Sequence, residues 1–135
     1  MIPGLTNAAR LAMLQGKIKP TDKFKVALYT FQARLGRNTV AYTKDYEAAG
    51  LGYKAGGKEL GSPVFGVMGD AAFMNWEKPV IWKASSITAR GALIYNASLD
   101  NLAMLVIDFD KTITSTNHEF KLSFPSNSDA LIQLR

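Results

Sequence analysis

Between Glu47 and Gly61 the chain places Gly50, Gly52, Gly56, Gly57 and Gly61. No regular helix survives that density, because each interior glycine costs ~1 kcal/mol relative to alanine. The glycines surround one tyrosine, Tyr53, in Gly52-Tyr-Lys-Ala-Gly-Gly57, which fits a tight turn or bulge between strands. On one side lies Lys23-Phe-Lys-Val-Ala-Leu-Tyr-Thr30, whose period-two alternation turns Phe24, Val26 and Leu28 to one face of a sheet. On the other lies Thr88-Ala-Arg-Gly-Ala-Leu-Ile-Tyr95, a long β-prone run with Arg90 in its middle.

The rest of the chain continues in strands. Val40–Thr43, Val64–Met68, Ala71–Trp76, Val80–Trp82, Ile87–Tyr95, Leu102–Phe109, Glu119–Phe124 and Ala130–Leu134 are candidates. Turn signals separate them at Gly69-Asp70, Lys78-Pro79, 96–101, 110–117 and 125–129. Leu102–Phe109 is apolar on both faces until Asp108, the mark of a central, doubly covered strand. Phe31–Thr39, broken by Gly36-Arg-Asn38, reads as a wide loop. Leu5, Ala8, Ala9, Ala12 and Met13 recur at helical spacing, so 5–16 reads as a short helix, with Thr6 or Asn7 as N-cap and Gly16 at its end. That helix either closes one end of the chain's own core or lies as an arm, 1–19, on a neighbouring subunit. The whole is expected to be mostly β: one antiparallel β-sandwich domain over 1–135, jelly-roll-like, with one short N-terminal helix. Phe24, Val26, Leu28, Leu93, Tyr95, Leu105, Ile107, Phe120, Leu122 and Phe124 are its expected core.

At 135 residues and 47% hydrophobic, the chain can bury a core and is not of disordered composition. No apolar run approaches the ~20 residues of a membrane helix, and Met1–Gly16 lacks the order of a signal peptide. Neither membrane insertion nor secretion is expected. Absence of cysteine excludes disulfides and thiolate metal sites. The net charge of +5 invites a nucleic-acid reading. The basic residues, however, are spread singly, even in the densest region, Lys17–Arg37, and no nucleic-acid partner is expected.

Residues capable of chemistry are few. His118 is the only histidine and opens a strand after a polar turn, without an evident partner for acid–base or metal work. Asp108 and Asp110 form a D-x-D pair, but the twelve-residue calcium-loop pattern is missing. No G-x-S-x-G or phosphate-binding glycine loop occurs. Asn96-Ala-Ser98 matches a glycosylation sequon. Trp76, Trp82, Tyr29, Tyr42, Tyr53 and Tyr95 could make a sugar platform or, as is commoner in β-sandwiches, core and interface. Arg90, set in an apolar strand, needs a partner; Glu77, Asp108 and Asp110 are candidates for a structural ion pair, within the chain or between subunits. No catalytic residue, metal or cofactor is expected.

These blocks resemble a family of small virion structural proteins of tailed bacteriophages. That family carries a block like D-T-I/F-K-V-A-L-Y/L-T after a short helix, matched by Asp22–Thr30. It carries A-Y-T…E-x-x-G-x-G-Y-x-A-G-G-x-x-L, matched by Ala41-Tyr-Thr43 and Glu47–Leu60, and W…T-A-R-x-A-x-I-Y, matched by Trp82 and Thr88–Tyr95. A strand ending in D-F and then F-x-I-x-F/W are matched by Val106–Phe109 and Phe120–Phe124. The resemblance spans residues 20 to 125, although the segment from Leu60 to Trp82 is shorter and less β-branched than the pattern. It implies a virion component assembled in the bacterial cytoplasm, with the major capsid protein or other virion proteins as partners, and supplies no catalytic residues. Within that class the expected role is capsid decoration (a cement protein), working as a homo-oligomer such as a trimer. The alternatives are a tail, neck or fibre-attachment protein, or a carbohydrate-binding module for host attachment. The glycine-tyrosine loop is either the contact surface, through Tyr46, Leu51, Tyr53, Lys54 and Lys58 with Lys44 nearby, or a bulged connection packed on its own sheet.

Overall fold

A computed structural model of the chain describes residues 1–125 and 131–134. In chain order its elements are β1 (Gly4–Leu5), α1 (Asn7–Leu14), β2 (Phe24–Tyr29), β3 (Lys58–Glu59), β4 (Val64–Met68) and β5 (Ala71–Asn75). There follow β6 (Val80–Ser85), β7 (Thr88–Asn96), β8 (Leu102–Thr114), β9 (His118–Leu122) and β10 (Ile132–Leu134). Every pairing between them is antiparallel. A five-stranded sheet runs β1-β8-β7-β2-β3. A three-stranded sheet, β10-β5-β4, and a two-stranded sheet, β6-β9, complete the set.

The period-two pattern of β2 decides how these sheets stack. Phe24, Val26 and Leu28 turn to one side, joining Ala92, Ile94, Met104 and Leu105 of the same sheet. They meet Met74, Val80, Trp82, Phe120, Leu122 and Ile132 from the two smaller sheets, and Trp76 just past β5. This is the sandwich core. Edge-to-face pairs lock it: Phe24 on Trp76 at 5.6 Å and Trp82 on Phe120 at 5.9 Å between ring centroids. The alternate residues, Ala27 and Tyr29 with Leu93, Tyr95, Ala103 and Val106, turn to the opposite face, where Ala33 and Leu35 of the wide loop, and Tyr42 after it, cover them. The five-stranded sheet is therefore buried on both faces, as the continuous apolar run of β8 requires. Leu93 and Tyr95 belong to this second layer. Ile107 and Phe124 are only partly buried against the first.

Four sequence expectations are corrected. The helix starts at Asn7, because residues 4 and 5 pair with Val106 and Leu105 of β8. Thr6 stops that pairing and caps the helix: its hydroxyl donates to Ala103 O at 2.7 Å and accepts from Ala9 N at 3.0 Å. Gly16 takes φ +69 just beyond the helix end, as its position suggests. Ala9 and Ala12 bury against the chain's own sheet, while Leu14 is 87% exposed. Second, Val40–Thr43 makes a single bridge, Ala41 to Leu102, in place of a strand. Third, the turn expected over 110–117 begins late, because β8 runs to Thr114 through a wide bulge. Gly91 pairs with Asp108 and Ala89 with Ile113, so 109–112 stand opposite Arg90 alone, with Asp110 at φ 65. Fourth, the final strand begins at Ile132 among the described residues; Ala130 and most of the 125–129 turn lie outside them.

Candidate functional site

The glycine-tyrosine loop is held to the surrounding sheets by many hydrogen bonds. It leaves β2 through the wide loop, returns antiparallel to Tyr29 at Glu47, and ends in β3 beside Lys25 and Val26. Ala48 N donates to Leu28 O at 2.8 Å and Ser86 N to Leu51 O at 2.8 Å. The loop thus lies against β2 on one side and the β6–β7 corner on the other. Gly57 shows why side chains are excluded: a Cβ there would overlap Val26 O, and its φ is +79.

Glu47 organises the loop. Its Oε1 accepts from Tyr42 OH at 2.6 Å, and its Oε2 from Tyr53 OH at 2.5 Å and Gly56 N at 2.8 Å. Tyr53 OH in turn accepts from Leu28 N at 3.0 Å. Tyr95 OH donates to Gly56 O and Tyr29 OH to Thr43 O, each at 2.6 Å. Tyr42 stacks on Tyr95 with centroids 4.9 Å apart. Burial raises the pKa of Tyr29, Tyr42, Tyr53 and Tyr95 above the ordinary phenol value. For Tyr42 and Tyr53 the hydrogen bond to Glu47 adds to it, and for Tyr29 and Tyr95 the carboxylate's charge does. Each phenol is held as a neutral donor. Both carboxylate oxygens accept from groups of their own chain, an arrangement suited to fixing a loop.

The five residues expected at a contact surface divide. Tyr53 points inward and stacks on Trp82 at 6.1 Å. Lys58 lies over the same indole, with Nζ 5.8 Å from its centroid and 2.5 Å from Ile81 O. Tyr53 is half-buried on the chain's own sheets, whereas Lys58 stays exposed while it crosses the indole. Tyr46 and Leu51 are 53% and 65% exposed, and Lys54 is exposed beside them. Sequence reasoning missed Glu47; its signal was one carboxylate within a few residues of Tyr42, Tyr46 and Tyr53.

Arg90 finds Asp108 within its own chain, Nε to Oδ1 at 2.9 Å, at the mouth of the β8 bulge. Asp110 N donates to the same oxygen at 2.8 Å. The Arg90 hydrogen bond, and then that amide, hold the Asp108 carboxyl below the usual carboxylate range. Asp108 is thereby engaged as a bulge clamp. The aromatic residues considered for a sugar platform are mostly interior: Trp76, Trp82, Tyr29 and Tyr95 are all buried. Asn96 of the sequon is buried too, its Nδ2 donating to Asp22 Oδ2 at 2.9 Å. Ser85 and Ser115 share a buried hydroxyl network with Ser85 O, Trp82 O and His118 O, which seats the start of β9. His118 itself is exposed. Among the described residues no three His, Asp or Glu side chains gather as metal ligands.

No protein-family model, no characterised protein and no solved structure matches the chain.

Proposed function

We propose that this chain is a tailed-bacteriophage virion structural protein, acting as a capsid decoration protein that ties shell subunits together through protein–protein contacts. The observation that carries the reading is the distribution of exposed apolar side chains on a rigidly braced sandwich. Phe65, Val67 and Met68 stand out on β4, and Tyr46 and Leu51 on the clamped loop. Exposed apolar groups held on a fixed frame are what a binding surface needs, because little ordering entropy is left to lose on contact. Polar groups that might otherwise do chemistry are engaged in bracing: Glu47 by tyrosines, Asp108 by Arg90, Ser85 by Ser115. The sequence blocks that resemble phage virion proteins supply the context. The shell partner is the major capsid protein, met by Tyr46, Leu51 and Lys54, with Lys44 and Lys54 facing acidic groups whose attraction weakens with salt. The chain carries out no catalysis and takes no cofactor.

Adding the purified chain back to particles that lack it tests this role. Decoration predicts saturable co-sedimentation with mature heads and slower release of DNA on heating. Saturation only on isolated tails moves the protein to the tail or neck reading, and no association with either sinks the virion reading.

A further inference from the structure

β4 is an unprotected sheet edge. It pairs with β5 on one side and with no described strand on the other. Sheet edges are commonly guarded by charged side chains, and three of the other described edges have them: Lys58 and Glu59 on β3, Lys83 on β6, Glu119 and Lys121 on β9; β1 and β10 also lack a charge but span only two and three residues. From Gly61 to Gly69 there is no charge at all. Phe65 and Val67 lie on the same face as Met74, Ile132 and Leu134, by the registers of β4 with β5 and β5 with β10. That face runs out of the core into the open, where Val67 is 74% exposed.

We propose that β4 pairs with β4 of a second copy of this chain, antiparallel about a twofold axis at Gly66, joining two three-stranded sheets into one of six strands. The segment is self-complementary in this register. Val64 meets Met68 of the second copy and Phe65 meets its Val67, so apolar residues face apolar residues and the two exposed strips become continuous. At the centre Gly66 meets Gly66. The Phe73 ring already lies against this glycine, 2.8 Å from where a Cβ would stand, so it covers the gap from each copy. Charge complementarity fixes the ends. Asp70 sits in the turn that follows β4, at the end past which Gly61 and Ser62 of the second copy run, and the Lys78 side chain rests against that Gly61, its Cδ 3.8 Å from where a Cβ would stand. The twofold makes this Asp70–Lys78 approach twice. The occupant is thereby a copy of the same chain, which supplies both the matching apolar register and the opposite charges. This proposal concerns the free chain and does not rest on the virion reading.

Sedimentation velocity on the full chain over a dilution series tests it. The parent is expected to dimerise. Val67→Lys, at an exposed position, should keep the circular dichroism spectrum and weaken the dimer by at least about tenfold. Asp70→Lys and Lys78→Asp should each weaken it, and the double exchange should restore it, an outcome that a merely destabilised fold would not give. The charge series decides the matter if Val67→Lys does not fold. A parent that stays monomeric at every concentration overturns the proposal and leaves β4 to an extended strand of a different protein. So does a trimer, a dimer indifferent to Val67→Lys, or a double exchange that fails to restore pairing.

Discussion

Tyr53 does three things with one side chain: its ring stacks on Trp82, its hydroxyl donates to Glu47, and the same oxygen accepts from Leu28 N. Tyr53→Phe keeps the ring and strips the oxygen, leaving the Leu28 amide and one carboxylate oxygen each short of a partner. The expected loss is about 1–3 kcal/mol in a denaturant titration; a change within a few tenths would show that the hydroxyl is idle. The glycine content made this loop readable as irregular backbone near a sheet, and the structure agrees. That Glu47 gathers phenols from Tyr42, Tyr53 and, through Gly56, Tyr95 was not readable. Those contacts depend on how far the wide loop folds back over β2, which no local pattern encodes.

At the scale of elements, strand identity was largely legible because side chains alternate where one face meets the core. β9 shows this: Phe120 and Leu122 point in, while Glu119 and Lys121 point out. Phe124 continues the alternation in sequence but stands beyond the strand and is only partly buried, 6.2 Å from Trp76. Phe120→Ala should therefore destabilise by ~3–5 kcal/mol and Phe124→Ala by clearly less. Equal losses in chemical denaturation would place Phe124 in the core after all. What alternation could not reveal are the bulges. At 109–112 four residues oppose Arg90, and between Trp82 and Ser85 the pairing with β9 slips, with Ala84 at φ 46. Each shifts the inward phase of a strand, and each is set by pairing across the sheet. The helix likewise began later than its apolar spacing suggested, because Gly4 and Leu5 are drawn to the β8 edge.

For the molecule as a whole, the tyrosine cluster couples stability to alkaline pH. Tyr29, Tyr42, Tyr53 and Tyr95 all have raised pKa values in the fold. Above about pH 10 the unfolded chain loses these protons while the folded chain keeps them, so stability falls as pH rises further. Tyrosinate absorbance from these four should appear together with the loss of far-ultraviolet circular dichroism; if it preceded unfolding, the cluster would be open to solvent. The same bracing presents Tyr46 and Leu51 on a fixed loop, and β4 adds an exposed apolar edge; together they are the basis for reading the chain as a protein of assembly. Its most direct test is the copy number of the chain in purified tailed-phage particles, measured by quantitative mass spectrometry against the major capsid protein. Decoration predicts that it is present in constant proportion to the shell subunit, as a symmetric shell requires. Absence from the particles would contradict the account.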